Sequence, residues 1–353
     1  MNVLKFSKHP HTDQEIIEHL SHLRQHALVE SSHFAVSAIV EFQLADEQFV
    51  YVSGVNVEHA EHNRLTLHAE QNAIASAQSL FGGNMKFSKV WVMGAPLTIE
   101  AGSDHPLANN HVMPCGHCRQ ILLSFATLQS TIYSVTLNGY IKDQGSLVAL
   151  LPEAFSERDL EVTTTEAATE QLITTATQMP GFFSEAPRAQ PWKLIDQSIT
   201  LDDQNIRLFC DAMTPHIIDP AFQTSAIRAC MIKAGTNEHN ARYFSGALIQ
   251  DIAFLTTDAI FSSLGQAVTE LGGQDLQIQE IHLYSTTLDP SQLSGIELQH
   301  LARFSNATTP LKFHTHDASS SAYALDACID AFKDKLCATL HSNHASAPAF
   351  QMT

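Results

Sequence analysis

The sequence predicts an α/β fold, a sheet covered by helices, built twice along one chain. Three observations predict it. Segments alternate between strand and helix character in the order β-β-α-β-α-β, an acidic Thr-rich stretch interrupts them, and the second half echoes the first. A length of 353 residues exceeds the usual single-domain size, and 44% apolar residues suffice for a sizeable core.

The elements follow from local patterns. Residues 1–30 read as an N-terminal helical segment, with Ile16, Ile17, Leu20, Leu23 and Leu28 at roughly helical spacing. FAVSAIVEF (34–42) and QFVYVSGVNVE (48–58) read as two strands, with QLADE between them as a hairpin turn. LHAEQNAIASAQSLFGG (67–83) reads as a helix ended by Gly82 and Gly83. KVWVMGAP (89–96) is a third strand, and 98–112 a polar loop. In CGHCRQILLSFATL (115–128), Ile121, Leu122 and Phe125 share one helical face; strands are expected near 131–137 and 139–141.

A first domain thus spans 31–160. Residues 161–195 are acidic, Thr-rich and late in prolines, the composition of a linker. In the second domain, 196–353, YVSG (51–54) recurs as YFSG (243–246). SLFGGNMKFSKVWVMG is echoed by TELGGQDLQIQEIHLYS, and CGHCRQILLSF by SGIELQHLARF. Three pieces in the same order point to a duplicated domain.

Charge narrows the partners. With 19 Lys and Arg against 37 Asp and Glu the formal charge is −18, and no basic cluster interrupts it. Polynucleotide binding draws on basic patches, so a neutral small molecule fits better. The N-terminal residues contain no apolar run of the signal-peptide kind, and no stretch approaches the ~20 apolar residues that span a bilayer. Of six cysteines, those at 210, 230, 328 and 337 sit in apolar surroundings and read as reduced core residues, which implies a cytoplasmic protein.

The other two cysteines carry the chemistry. MPCGHCRQ (113–120) places Cys115 and Cys118 three positions apart, as a redox pair, half of a structural zinc site or ligands of a catalytic metal. No second CxxC exists, which excludes a four-cysteine structural site within one chain. At a helix start both thiolates are favoured by the dipole and free N–H groups. His68 is the candidate third ligand. Glu70, two residues on, points off His68's face and is placed to reach an open coordination position.

HAEQNA followed by PCGHCRQ resembles the zinc-dependent cytidine deaminases; H-x-E…P-C-x-x-C is a known signature of zinc deaminases. GVNVE (54–58) is similar to that family's G-x-N-x-E ribose-binding strand. SHFAVSA (32–38) resembles its first strand, and LLPEAFSERDL (150–160) its closing segment. The resemblance covers about residues 30–160. It implies a three-layer α-β-α domain with a mixed sheet, followed by a degenerate, non-catalytic copy, as in the larger two-domain homodimeric members.

By that resemblance His68, Cys115 and Cys118 hold one Zn²⁺ per chain, with water in the fourth position. Hydroxide attacks C4 of cytidine or 2′-deoxycytidine, and Glu70 shuttles the protons. The products are uridine or 2′-deoxyuridine and ammonia, a step of pyrimidine salvage. Asn56 and Glu58 would bind the ribose 3′-hydroxyl, Phe34 would line the pocket, and Phe155 would stack on the base from a neighbouring subunit. Arg119 would donate to a ligating thiolate. The loop 98–112 is longer than the family usually has. Its His105 and His111, and His117 between the cysteines, read as surface residues. In the second half Leu248 and Gln250 stand for Asn56 and Glu58, Asp258 and Ile260 for His68 and Glu70, and Ser294 and Glu297 for the cysteines. Weaker readings are a deaminase of polynucleotides or modified nucleosides, a zinc-stabilised scaffold without turnover, and a redox CxxC.

Overall fold

The computed structural model describes residues 4–43, 48–59, 66–81, 86–152, 154, 227–237, 240–250, 256–285, 287–315 and 319–345. Phe155, the expected linker 161–195, the turn residues 44–47, Gly82, Gly83 and Cys210 lie outside them.

The first helix, α1 (Asp13–Arg24), starts where sequence chemistry dictates. Thr12 accepts from Glu15 N, and the Glu15 carboxylate accepts from Thr12 N, a capping box. Its Ile16, Leu20 and Leu23 are fully buried against the first sheet. That sheet has six strands: β1 (Leu4–Ser7), β2 (Phe34–Gln43), β3 (Phe49–Val55), β4 (Phe87–Pro96), β5 (Ala126–Val135) and β6 (Ile141–Ser146). Their order is β1-β3-β2-β4-β5-β6, antiparallel except for the parallel β4–β5 pair. Helices α2 (Ala69–Phe81), α3 (Gly116–Ser124) and the single turn α4 (Leu147–Leu150) join the cluster on the opposite face. Strand alternation sorts the side chains: Ala38, Val40 and Phe42 face α2, while Ala35 and Ile39 face α1.

Three expectations change. A short strand, β1, lies within the segment read as helical; it pairs with β3 at the sheet edge. β5 begins at Ala126 rather than near 131, because Thr127 N donates to Ser130 Oγ and that hydroxyl bonds Phe87 O, so polar residues join the parallel pair. β6 runs to Ser146 although IKDQGS does not alternate; among the described residues it is an edge strand, and none of its residues is fully buried. The polar loop also contains a 3₁₀ turn, Pro106–Asn109, opened by His105.

The second sheet comprises β7 (Ile227–Gly235), β8 (Arg242–Ala247), β11 (Gln277–Ser285), β12 (Pro310–His314) and β13 (Ser320–Ala324); a minor ribbon pairs β9 (Ile249–Gln250) with β10 (Thr256–Thr257). Its order, β8-β7-β11-β12-β13, with only β11–β12 parallel, repeats β3-β2-β4-β5-β6 strand for strand. Helices α5 (Ala259–Leu271), α6 (Gly295–Phe304) and α7 (Leu325–Ala345) occupy the places of α2, α3 and α4. The domain is duplicated.

YVSG and YFSG now acquire a reason. A Cβ on Gly54 would lie 2.3 Å from Ala69 O and 2.5 Å from Ala73 N; on Gly246 it would lie 2.0 Å from Ala259 O and 2.4 Å from Ser263 N. In each half the helix backbone rests directly on the strand, and only glycine permits that. The halves then pack through α2 and α5. Asn72 Nδ2 donates to Val55 O (2.9 Å), Gly265 O (3.1 Å) and Thr269 Oγ1 (3.0 Å). Ser79 Oγ receives Ala247 N at 2.9 Å and meets Ser262 Oγ at 3.2 Å.

Gly54→Ala and Gly246→Ala are each expected to destabilise the protein by about 1–3 kcal/mol, the usual cost of forced overpacking. Thermal denaturation checks this; an unchanged midpoint for either would contradict the contact.

Candidate metal centre

Topology explains why the candidate ligands meet. β3 and β4 flank β2 and are both antiparallel to it, so they run the same way. The helices that follow them, α2 and α3, therefore begin at the same end of the sheet. His68 immediately precedes α2, and Cys115 is the N-cap of α3 with Cys118 in its first turn.

The nitrogen and sulfur donor atoms of His68, Cys115 and Cys118 all lie within 4.8 Å of one another, the one such group among the described residues. Tetrahedral zinc with Zn–S ~2.3 Å and Zn–N ~2.0–2.1 Å separates S and N by about 3.5 Å. Cys115 Sγ and His68 Nδ1 stand 3.5 Å apart. The residues fit the ion. His117, with its ring centroid 5.5 Å from that of His68, is exposed and outside the group, as expected for a surface residue.

Electrostatics prepare the donors. The Cys115 thiol is pushed down to about 3, chiefly by its hydrogen bond with Cys118 and then by that with His68. The same bond to Cys115 raises the His68 imidazole, against the effect of burial. The Cys118 thiol is raised by its bond with Cys115 and by burial. Cys118 Sγ donates to Glu70 Oε2 at 3.4 Å, and Glu70 is only 4% exposed. Burial pushes the Glu70 carboxyl up from its ordinary 4.5, towards the range in which it can both take and return a proton.

Asn56 and Glu58 follow directly on β3, 7% and 8% exposed. Asn56 Nδ2 donates to Phe34 O (3.0 Å), and Val36 N donates to Asn56 Oδ1 (2.8 Å). Glu58 accepts from Ser31 N (3.2 Å), Ser32 N (2.9 Å) and Ser32 Oγ (2.5 Å). Phe34 is half-buried; its Cε1 lies 2.9 Å from where a Cβ of Gly94 would stand, beside Val112 at the end of the long loop. Arg119 differs from expectation. Among the described residues its guanidinium donates to Pro114 O (2.8 Å) and Leu150 O (3.0 Å), not to sulfur, and so ties the start of α3 to the end of α4. His105 and His111 are exposed, but each has a bond: His105 Nδ1 accepts from Leu107 N (3.2 Å), and His111 Nδ1 pairs with Ser134 Oγ (2.8 Å).

Sequence reasoning missed Ser31 and Ser32, which hold Glu58, and Arg24, whose buried guanidinium donates to Ala95 O (3.1 Å), Pro96 O (3.0 Å) and Ile99 O (2.7 Å) and anchors the start of the long loop. None of these partners is near in sequence.

At the matching places of the second half stand helix caps. Asp258 Oδ1 accepts from Phe261 N (2.7 Å), and Ser294 and Glu297 form a capping box.

Two thiols and an imidazole at tetrahedral spacing on adjoining helix starts define a zinc-binding α/β domain. Over residues 10–134 the chain matches the family described as the cytidine and deoxycytidylate deaminase zinc-binding region. It is 31% identical over 147 residues to a cytidine deaminase of Sporosarcina psychrophila, covering 42% of this chain and 93% of that protein. Solved cytidine deaminases from Burkholderia pseudomallei (25% identity, 41% of this chain and 100% of that one, TM-score 0.33) and Mycobacterium tuberculosis (26%, 41% and 99%, TM-score 0.29) are also similar. This chain belongs to the cytidine deaminase family, whose zinc-binding region it carries in its first half.

Zinc must displace the protons that His68 and Cys118 hold up to higher pH than usual, while Cys115 competes little. Zinc affinity should therefore rise with pH through the neutral range, with proton release on binding. Competition with a chromogenic chelator across pH measures it; a flat profile would contradict the donor set.

Proposed function

We propose that the protein hydrolytically deaminates cytidine and 2′-deoxycytidine to uridine and 2′-deoxyuridine with release of ammonia, in pyrimidine salvage. The observation that carries this reading is the convergence of His68, Cys115 and Cys118 with the buried Glu70 against Cys118. Bound zinc supplies a water acidic enough to ionise near neutral pH.

Glu70 takes a proton from water and gives it to N3 as oxygen adds at C4. It then carries the proton of the hydroxyl now on C4 to the exocyclic amine, the C4–N bond breaks, the C4 carbonyl forms and ammonia leaves. Its raised pKa suits both directions of transfer. Glu58 and Asn56 bind the sugar. A carboxylate offers about four acceptor sites. Ser31 N, Ser32 N and Ser32 Oγ use three, which leaves room for a hydroxyl. The second amide hydrogen of Asn56 is available in the same way. Phe34 lines the pocket, Phe155 stacks on the base from a neighbouring subunit, and Arg119 fixes the backbone from which the two cysteines project.

Residues 31–160 form the catalytic domain, 161–195 the linker, and 196–353 a non-catalytic copy; helix caps at 258 and 294 in place of ligands support that division. The protein acts as a homodimer with the site near the subunit interface, a reading supported by the exposure of Cys115, Gly116 and His117 on the single chain. A cytoplasmic setting accords with Cys115, Cys118, Cys230 and Cys328 as free thiols, and no helix among the described residues is long and apolar enough to cross a membrane. The charge of −18 disfavours nucleic acid as substrate.

The ultraviolet change on incubation with cytidine, read beside zinc content, tests the reading. Turnover with about one zinc per chain is expected; zinc without turnover on any nucleoside would leave a scaffold instead. Glu70→Gln should keep its zinc and lose about 10²–10⁴-fold in kcat, whereas Asn56→Ala should mainly raise KM. A Glu70→Gln enzyme within tenfold of the parent kcat would rule out the proton relay.

A further inference from the structure

One arginine of the second half reaches the sugar-binding end of the first. Arg303, in the last turn of α6, donates from Nη1 to the main-chain oxygen of Glu58 and from Nη2 to Glu30 Oε2 (2.5 Å). These two contacts sit on the two sides of one clasp. Glu30 is followed directly by Ser31 and Ser32, whose amides and hydroxyl hold the Glu58 carboxylate. Glu58 N in turn donates to Leu28 O (2.7 Å), and Leu28 N to Asn56 O (3.1 Å), so the segment 28–32 lies along 56–58 throughout. Arg303 is the described side chain of the second half that spans both edges.

We propose that Arg303 is a positioning residue for substrate: its planar fork sets the distance between the 30–32 turn and residue 58, and with it the direction in which the Glu58 carboxylate faces the sugar. A guanidinium suits this task because its donors are fixed in one plane, whereas a lysine ammonium offers one mobile point. The second half thereby takes part in substrate recognition without touching substrate. The inference rests on the reading of Glu58 as a sugar ligand.

Glu30 is half exposed, and exposed ion pairs contribute little to folding. Arg303→Ala should therefore fold and bind zinc normally. Its KM for cytidine should rise by about tenfold, the loss of one charge-assisted hydrogen bond, with kcat within about twofold. Arg303→Lys should recover only part of the affinity. The rise should vanish in the Glu58→Ala background, since a residue acting through Glu58 has nothing left to position. If Arg303→Ala fails to fold, Arg303→Lys carries the same comparison with Glu58→Ala.

Three results would overturn the proposal. Arg303→Ala with unchanged KM while Glu58→Ala raises it would leave the Glu58 reading intact and remove Arg303 alone. A full tenfold effect persisting in the Glu58→Ala background would show that Arg303 acts elsewhere. Glu58→Ala with unchanged KM would remove the sugar-ligand reading and the proposal together.

Discussion

The metal centre depends on a contact between two backbones. α2 lies so close on β3 at Gly54 that a methyl group there would stand 2.3 Å from the Ala69 carbonyl. Ala69 lies between His68 and Glu70, so this approach fixes the height of the imidazole and the carboxyl above the sheet end. The cysteines arrive independently, from β4 through the long loop to α3. Their donors meet His68 at tetrahedral separation because β3 and β4 share a direction and are spaced by the single strand β2. Adjacent strands lie about 4.8 Å apart, so the two helix starts are placed by the sheet rather than by loops. Arg24 and Arg119 refine this from either side: one holds the start of the long loop, the other its end at Pro114.

The two halves show what a helix start can be used for. In the first, the N-cap Cys115 makes no side-chain cap bond. In the second, Ser294 and Asp258 cap their helices in the ordinary way. Replacing a good N-cap costs about 0.5–2 kcal/mol per helix. The first half thus gives up local stability at the position where it gathers metal donors, and metal binding to the folded state offsets the loss by mass action. The second half has the locally favourable solution. Asp258, half-buried and pushed up to about 6 by desolvation, keeps a carboxyl where the first half has an imidazole, without cysteine partners among the described residues to make a site.

What was legible in the sequence divides along the same line. The α/β class, a helix over 67–83 and strands over 34–42 and 48–58 are legible in periodicity, whereas the meeting of His68 with the cysteines is legible through the family resemblance. The duplication was read from fragments, and the strand-for-strand identity of two sheets explains why YVSG and YFSG recur: glycine is required under each helix. Missed were β1 and most of β6. Both are edge strands that bury little, so their sequences need not alternate. The residues that brace the segment 56–58 escape the sequence for another reason. Arg303 stands 245 positions from Glu58, and Ser31 and Ser32 are ordinary turn residues until the chain lays them beside it. The family resemblance gives Arg119 a bond to sulfur; its guanidinium instead donates to Pro114 O and Leu150 O, which fixes the backbone.

The shared interior makes the second half more than a cover. Asn72, at the second turn of the helix that carries Glu70, places its amide on acceptors from both halves at once: Val55 O of its own strand, Gly265 O and Thr269 Oγ1 of the other. Gln71, adjacent to Glu70, donates to Thr257 Oγ1 at 2.6 Å. Thr269 Oγ1 also receives Val55 N, the last residue of the strand before Asn56. Each of these groups is buried, and a buried polar group without a partner costs about 1–3 kcal/mol. Removing the second half would leave several unpaired around one helix, the helix that carries Glu70. The start of α2 and the end of β3 are therefore held in register by residues contributed across the duplication, so the second half braces the elements that carry His68, Glu70 and Asn56.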